Sequence, residues 1–311
     1  MKRLLILTRF VKEYEPRRLV EEGRRKGFKV DLVKYGQVDI GVDGGKPVID
    51  LGKGRRLSDY DLIVPRAASK KGSSMVGVKT VLLEEANKLG IKIVNGESFL
   101  KFPLLGKIEQ GVMMAGVGLP TVDFVTFGSK LGWRKFMKTL QSAEGSELSY
   151  TSLRTAESSE PSFAKFPLII KGRFGSHGRT VKLVKNKVEL ERVFGEYKEG
   201  SVLIQPKLRV KQWYRCIVVN GVYLGEMRHR QKDKYDGEMG RLFKFNKLKM
   251  DRLKETCVRA SNLFECDYAG IDVVWDEDKA DWAILEINRT AQFKYFEKRT
   301  GVNVAEKMIS L

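Results

Sequence analysis

Two apolar strands near the C-terminus carry the pattern that most constrains this sequence. The run 283–288 is Ala-Ile-Leu-Glu-Ile-Asn, and its alternation puts Glu286 and Asn288 on one face of a buried strand. The apolar run 270–275 contains one inward acid, Asp272. Burying carboxylates without a partner is costly, and oxygen ligands suit magnesium. The sequence therefore predicts a magnesium site on paired strands, against the alternative of separately solvated acids.

A second pattern, strand followed by a glycine-rich loop and another strand, spans residues 166–184. The first strand ends at Lys171, and Gly-Arg-Phe-Gly-Ser-His-Gly-Arg follows at 172–179. Neither GxxxxGK[ST] nor GxGxxG occurs here, which excludes the P-loop and the dinucleotide fingerprint. Glycines let backbone N–H groups surround an anion, and Lys171 adds a positive charge. The pattern indicates phosphate binding, with an ordinary hairpin turn as the alternative.

Six blocks in order resemble the ATP-grasp ligases, and within them the RimK type. The resemblance covers residues 60–311 well and the first 60 loosely. It implies an α/β chain with the ATP-grasp fold and an N-terminal open α/β pre-ATP-grasp domain. The blocks are 61–66, Asn95 with Lys107, 118–121, the Lys171 strand with its loop, 202–205 with Arg215 and Arg228, and Asp272, Glu286 and Asn288 with 296–305.

Alternating strands and helices at the start of the chain predict a parallel sheet with crossover connections. A small hairpin or excursion is expected at 36–56 and a strand at 122–127. We expect three domains: 1–102, a central lobe 103–206 with the lid loop, and a C-terminal lobe 207–311 with the magnesium site. The Ser-, Thr- and Glu-rich stretch 141–162 predicts a mobile loop, longer than the RimK type usually has.

The resemblance implies ATP and magnesium as cofactors, with two ions on Asp272, Glu286 and Asn288. The two lysines of the ATP site would neutralise the α and β phosphates, and the glycine-rich loop would close over the γ-phosphate. The implied ATP-binding residues are Lys107, Lys171, Gly175, Ser176, His177, Gly178, Gln205, Pro206 and Lys207. The RimK type usually has Glu and an aromatic or apolar residue at 206 and 207, but the Pro206 carbonyl and Lys207 N–H are still expected to bind adenine.

The implied reaction has two steps: a carboxylate attacks the γ-phosphate, and an amine then displaces phosphate from the acyl phosphate. Arg215 and Arg228 would stabilise the transferring charge, while Arg66 and Gln292 would contact substrate. The sequence departs from the type at Trp213, usually Asp, and around Asp236, usually Arg-Ser-Asn. It also departs at 289–293, usually a small residue, Pro and Gly, which indicates an altered substrate choice.

A net charge of +19, from 58 basic and 39 acidic residues, favours an anionic partner. Basic residues cluster at 17–26 and again at 228–249. The expected partners are an amino acid with an acidic peptide, protein tail or small carboxylate, and a ribonucleoprotein through the basic surface. The alternative is that the charge serves solubility. The resemblance also implies a homo-oligomer.

No apolar run reaches the roughly 20 residues of a membrane span. Cys216, Cys257 and Cys266 lack CxxC spacing, which predicts reduced thiols in the cytoplasm. The leading hypothesis is a ligase adding an amino acid such as glutamate to an acidic peptide or protein tail. The alternatives are an ATP-grasp ligase acting on a small metabolite and a degenerate ATP-binding adaptor.

Overall fold

The computed structural model describes residues 1–68, 75–142, 166–174, 181–198, 200–210, 212–230 and 245–310. The chain divides into two compact units. The larger unit contains residues 1–105, 211–275 and 284–311, and the smaller contains 106–210 and 276–283. The three-domain division stays a prediction. Among the described residues, no helix is both long enough and apolar enough to cross a membrane.

The N-terminal segment of the larger unit forms a four-stranded parallel sheet in the order β2-β1-β5-β6. A two-stranded hairpin, β3–β4, confirms the excursion predicted at 36–56. The elements are β1 (Arg3–Thr8), α1 (Tyr14–Arg25), β2 (Lys29–Lys34), β3 (Asp39–Asp43), β4 (Lys46–Asp50), β5 (Leu62–Pro65), α2 (Val76–Lys88), β6 (Lys92–Ile93) and α3 (Gly96–Lys101).

The apolar run in β1 explains why helices pack on both faces of this parallel sheet. Leu4 and Ile6 pack into one core that contains α1, whereas Leu5 and Leu7 pack into a second core that contains α2. A strand covered by helices on both faces is apolar at consecutive positions, as in other parallel sheets. The sheet therefore directs the carboxyl ends of β1, β5 and β6 to one edge.

The smaller unit is built on an antiparallel sheet in the order β8-β7-β9. The strand predicted at 122–127 is wrong: one bridge, Val125 to Ile204, forms there. The Thr126 hydroxyl donates to the Val202 carbonyl at 2.7 Å, so a side chain replaces the next backbone bond. The elements are α4 (Lys107–Gly116), α5 (Lys130–Ser142), β7 (Leu168–Gly172), β8 (Val181–Val184), α6 (Lys187–Gly195) and β9 (Val202–Pro206).

The C-terminal elements form a second four-stranded sheet, in the order β11-β10-β12-β13. The two acid-bearing strands are neighbours in this sheet, as the sequence predicts. Its elements are β10 (Gln212–Val219), β11 (Val222–Arg230), α7 (Lys247–Leu263), β12 (Tyr268–Asp276), β13 (Asp281–Asn288), α8 (Lys294–Thr300) and α9 (Val304–Ile309).

Asn95 joins the two sheets of the larger unit. It follows β6 in the left-handed conformation, with φ of 59°, and is 2% exposed. Its side chain accepts from Tyr268 N and donates to Tyr268 O, both at 2.8 Å, and donates to Arg289 O at 2.9 Å. Asn95 thus acts as a strand partner for the start of β12 and fixes the residue after β13.

We expect Asn95→Asp to destabilise the larger unit. The carboxylate would face the Tyr268 and Arg289 carbonyls with no proton to donate, at a cost of about 3 kcal/mol. Urea denaturation of the variant should therefore show a lower unfolding midpoint. Asn87→Asp, exposed on α2, is the control and should change stability by less than about 0.5 kcal/mol. Equal midpoints for the two variants would contradict the joining role of Asn95.

Candidate active site

A largely buried ion pair lies at the centre of the C-terminal sheet. Arg215 on β10 stands opposite Asp272 on β12 in the antiparallel register. Its Nε and Nη2 donate to the two Asp272 carboxylate oxygens, each at 2.8 Å. Burial by itself would lower the pKa of Arg215, but Asp272 and then Glu286 outweigh it, so the pKa is raised above its usual value. Arg215 therefore remains charged inside the protein.

Glu286 and Asn288 lie on β13 with buried Ile287 between them. Both are partly exposed, and the alternation of the strand puts them on one face. The charge of Glu286 acts on Arg215, which pairs with Asp272. Both predicted carboxylates thus act electrostatically on one guanidinium, and Asp272 contacts it directly. Asn288 Oδ1 accepts from Thr290 N at 3.3 Å.

The donor set of Asp272, Glu286 and Asn288 fits magnesium. Each carboxylate oxygen has more than one lone-pair site, so Asp272 can bind Arg215 and still coordinate a cation. In the described part of the chain, no three His, Cys, Asp or Glu side chains are grouped to hold a metal. An ion here would therefore use amide, water or phosphate oxygens as well, which is usual for magnesium.

Arg228 does not share a face with Arg215. The register pairs Arg215 with Met227 and Asp272, and pairs Tyr214 with Arg228. Directly opposed residues project to the same side of a sheet, and consecutive residues to opposite sides. Arg228 is buried beside Tyr214 and away from the ion pair. The sheet geometry therefore does not support the joint role expected for Arg215 and Arg228.

In the smaller unit, the structure brings Lys107 and Lys171 to one end of the sheet. Lys171 lies near the end of β7, opposite Val181 and Leu203. Lys107 begins α4, and its N–H donates to the carbonyl of Arg173, two residues beyond Lys171, at 3.1 Å. Lys107 at the N-terminus of α4, together with Lys171 near the end of β7, forms a positive region suited to phosphate.

The predicted adenine contacts have mixed outcomes. Gln205 is buried opposite Ile169, and Pro206 pairs with Leu168 at the end of β9. Lys207 N–H donates to the Pro167 carbonyl at 3.2 Å, so it is not the adenine donor that the sequence predicts. The Pro206 carbonyl stays a prediction. Several predictions lie outside the described residues. They are the contacts of Gly175, Ser176, His177 and Gly178, the departure at Asp236 and loop residues 143–162.

Arg66 holds the turn that follows β13. It is 4% exposed, and its Nη2 donates to Thr290 O at 3.0 Å and Ala291 O at 2.8 Å. Gln292, the other expected substrate residue, is exposed in this turn. Trp213, already noted as a departure from the RimK type, has its ring centroid 5.5 Å from the Arg215 guanidinium carbon, a contact that sequence reasoning did not predict. The i, i+2 spacing of Trp213 and Arg215 on one strand was the available signal.

Comparison with known proteins identifies the family. The model of the RimK-like ATP-grasp domain matches residues 146–311, and that of the RimK PreATP-grasp domain matches residues 1–98. The chain belongs to the RimK-like ATP-grasp family. It is therefore an ATP-dependent ligase with the fold expected from its sequence blocks.

Curated relatives and solved structures match nearly the whole chain. A protein from Thioalkalivibrio sulfidiphilus named "Probable alpha-L-glutamate ligase" is 23% identical over 99% of this chain and 94% of its own length. A protein of the same name from Aliivibrio fischeri is 24% identical over 98% of this chain and 93% of its own length. A RimK domain ATP-grasp protein from Sphaerobacter thermophilus has a TM-score of 0.67 at 16% identity, and the match covers 99% of this chain and 98% of that chain. The ATP-grasp ligase PsnB, complexed with a minimal precursor, has a TM-score of 0.66 at 16% identity, and the match covers 100% of this chain and 99% of that chain.

We expect Glu286→Gln to abolish magnesium-dependent turnover while leaving the fold intact. The substitution removes a charge from the oxygen donor set and keeps the shape of the side chain. ADP release over a magnesium titration, together with circular dichroism, measures both effects. Glu277→Gln, exposed in the turn between β12 and β13, is the control and should retain activity. Full activity of Glu286→Gln would remove Glu286 from the metal site.

Proposed function

We propose that this ligase joins an amino acid such as glutamate to a carboxylate of an acidic peptide or protein tail. The observation that carries the proposal is the buried Arg215–Asp272 pair with Glu286 beside it. This arrangement supplies a fixed cation and oxygen donors for magnesium. The names of the curated relatives and the precursor-bound ligase support glutamate and a peptide as the substrate classes.

The reaction proceeds through an acyl phosphate. An oxygen of the substrate carboxylate attacks the γ-phosphorus of ATP, the bond to the β–γ bridging oxygen breaks, and ADP leaves. The amine nitrogen then attacks the acyl carbon, phosphate departs, and the nitrogen loses a proton to give the amide. The protein contributes position and charge neutralisation, as in other phosphoryl transfers.

Named residues take separate parts in this reaction. Lys107 and Lys171 bind ATP phosphates, and Arg215 donates hydrogen bonds to the transferring group or the acyl phosphate. A magnesium ion held by Asp272, Glu286 and Asn288 would neutralise phosphate charge when bound. Because Arg215 is oriented by Asp272 and packed against Trp213, its donors are fixed before substrate arrives.

Product analysis tests the proposal. The protein, ATP and magnesium are incubated with L-glutamate and an oligoglutamate peptide, and mass spectrometry of the peptide is compared with ADP release. The expected result is a peptide longer by glutamyl residues, with one ADP for each. ADP release with glutamate and small carboxylic acids, but none with the peptide, would favour the small-metabolite ligase. ATP binding without any turnover would favour the adaptor.

Salt should weaken capture of the acidic acceptor. Within the 17–26 cluster, Arg18 contacts Glu21, Glu22 and Glu297, and Arg25 pairs with Glu22. Arg18 and Arg25 are thus paired with acids within the fold. The 228–249 segment contains lysines at 232, 234 and 244. Ribonucleoprotein association and a homo-oligomer stay predictions.

We therefore expect kcat/KM for the peptide to fall steeply from low to physiological salt, because attraction is screened beyond about 8–10 Å. Replacing Lys232, Lys234 and Lys244 by Glu should flatten this dependence and leave ATP affinity nearly unchanged. The paired substitution of Lys88 and Lys254 by Glu, on α2 and α7, is the control for added negative charge. Turnover that is insensitive to salt at limiting peptide would assign the charge to solubility.

A further inference from the structure

Three cations surround the turn after β13 within the larger unit. Arg66 follows β5, Lys79 lies in the first turn of α2, and Arg289 follows β13. Lys79 Nζ is 3.0 Å from the centroid of the Phe99 ring, and the Arg289 guanidinium carbon is 4.5 Å from the same centroid. One aromatic ring thus contacts two positive groups, so both charges lie beside Phe99.

The hydrogen bonds of these cations leave their charge largely uncompensated. Arg66 Nη2 and Arg289 Nη1 donate to backbone carbonyls, which are neutral acceptors. Arg66 Nη1 is buried, and within the described residues it has no hydrogen-bond partner. Among those residues, Lys79 Nζ likewise has no hydrogen bond or ion pair. Two acids lie on the Arg66 side: partly buried Glu13, whose charge interacts with Arg66, and buried Glu15, whose carboxylate already accepts from Phe293 N and Lys294 N.

Besides burial, the charges of the two arginines lower the pKa of Lys79, as expected where positive groups lie near one another. Burial, with the charges of Arg289 and Arg66, holds the pKa of Lys79 well below its usual value. A negatively charged ligand beside the three groups would relieve this repulsion and satisfy the buried Arg66 Nη1 donor. Three positive groups and an unsatisfied buried donor therefore indicate an anion.

The location connects the cluster with the reaction. Arg66 lies at the carboxyl edge of the parallel sheet, where open α/β sheets bind ligands, and Lys79 lies at a helix N-terminus. Arg289 directly follows Asn288, a proposed magnesium ligand. An acidic substrate also carries carboxylates that are not activated, and these need a separate partner.

We propose that Arg66, Lys79 and Arg289 form a binding site for a substrate carboxylate that is not phosphorylated. The site makes the ligase select acidic substrates over their neutral amides. This inference rests on the proposed function and assigns its charge selectivity to specific residues. The carboxylate belongs either to the incoming amino acid or to the acidic peptide, and the two sources are separated below.

A binding measurement tests the site without any ligation. Thermal unfolding is followed with glutarate, a dicarboxylate, and with glutaramide, its neutral counterpart. We expect glutarate alone to raise the melting temperature of the wild-type protein, and Lys79→Met to weaken this binding about tenfold or more. Lys88→Met is the matched control, since Lys88 is exposed on the same helix and pairs with Glu85 at 2.6 Å. It should respond to glutarate as the wild type does.

The ligand-free proteins provide a second readout. Removing an uncompensated, partly buried charge should leave the melting temperature of Lys79→Met unchanged or higher, whereas a purely structural lysine would lower it. Lys79→Arg should retain glutarate binding because it keeps the charge. Equal glutarate protection of the wild type and Lys79→Met, or a lower melting temperature of ligand-free Lys79→Met, would overturn the proposal.

Steady-state kinetics identifies the source of the carboxylate. A KM increase of about tenfold for L-glutamate alone in Lys79→Met and Arg289→Gln assigns the site to the amino acid, and an increase for the peptide alone assigns it to the peptide. Unchanged KM values for both substrates would overturn the proposal. If the wild type binds glutarate through Lys79 but forms no amide, the carboxylate site stands and the proposed function fails.

Discussion

The ion pair between Arg215 and Asp272 is the interaction on which the candidate site depends. Two charges inside a sheet are costly to desolvate, and removal of one partner leaves the other uncompensated. The bidentate geometry satisfies both groups and aligns β10 with β12 at the candidate site. Because Asp272 retains coordination sites, the same pair can orient a donor and help to hold a cation. In the proposed mechanism, stability and catalysis therefore use the same two side chains.

The turn after β13 depends on contacts from the beginning of the chain. Glu15 Oε1 accepts from the N–H groups of Phe293 and Lys294, Arg66 binds the Ala291 carbonyl, and Asn95 binds the Arg289 carbonyl. Close packing adds to these bonds, since a Cβ at Gly270 would lie 2.3 Å from the Cβ of Ala291. The N-terminal sheet thus shapes the turn at which this sequence departs from the RimK type.

The distribution of charge separates structural cations from cations available to a ligand. Arg18 lies among three glutamates, two on α1 itself and Glu297 on α8, so its charge is compensated within the fold and links α1 to α8. The hydrogen bonds and ring contacts of Arg66, Lys79 and Arg289 instead go to backbone carbonyls and aromatic faces, which are neutral, and Glu13 interacts with Arg66 alone of the three. A net charge of +19 could not distinguish these cases, because it counts residues without their partners.

Apart from the strand expected at 122–127, the sequence by itself indicated the alternation of strands and helices, the ATP-grasp fold and the residue types of the candidate site. Apolar alternation marks β12 and β13 and places Glu286 and Asn288 on one face, because these are local properties of a strand. Tertiary structure decided which charges meet. The register separates Arg228 from Arg215, Lys207 N–H bonds to Pro167, and Phe99 brings Lys79 near Arg289. Such contacts join residues distant in the chain, so their geometry is set by strand register and helix packing, which short sequence patterns do not encode.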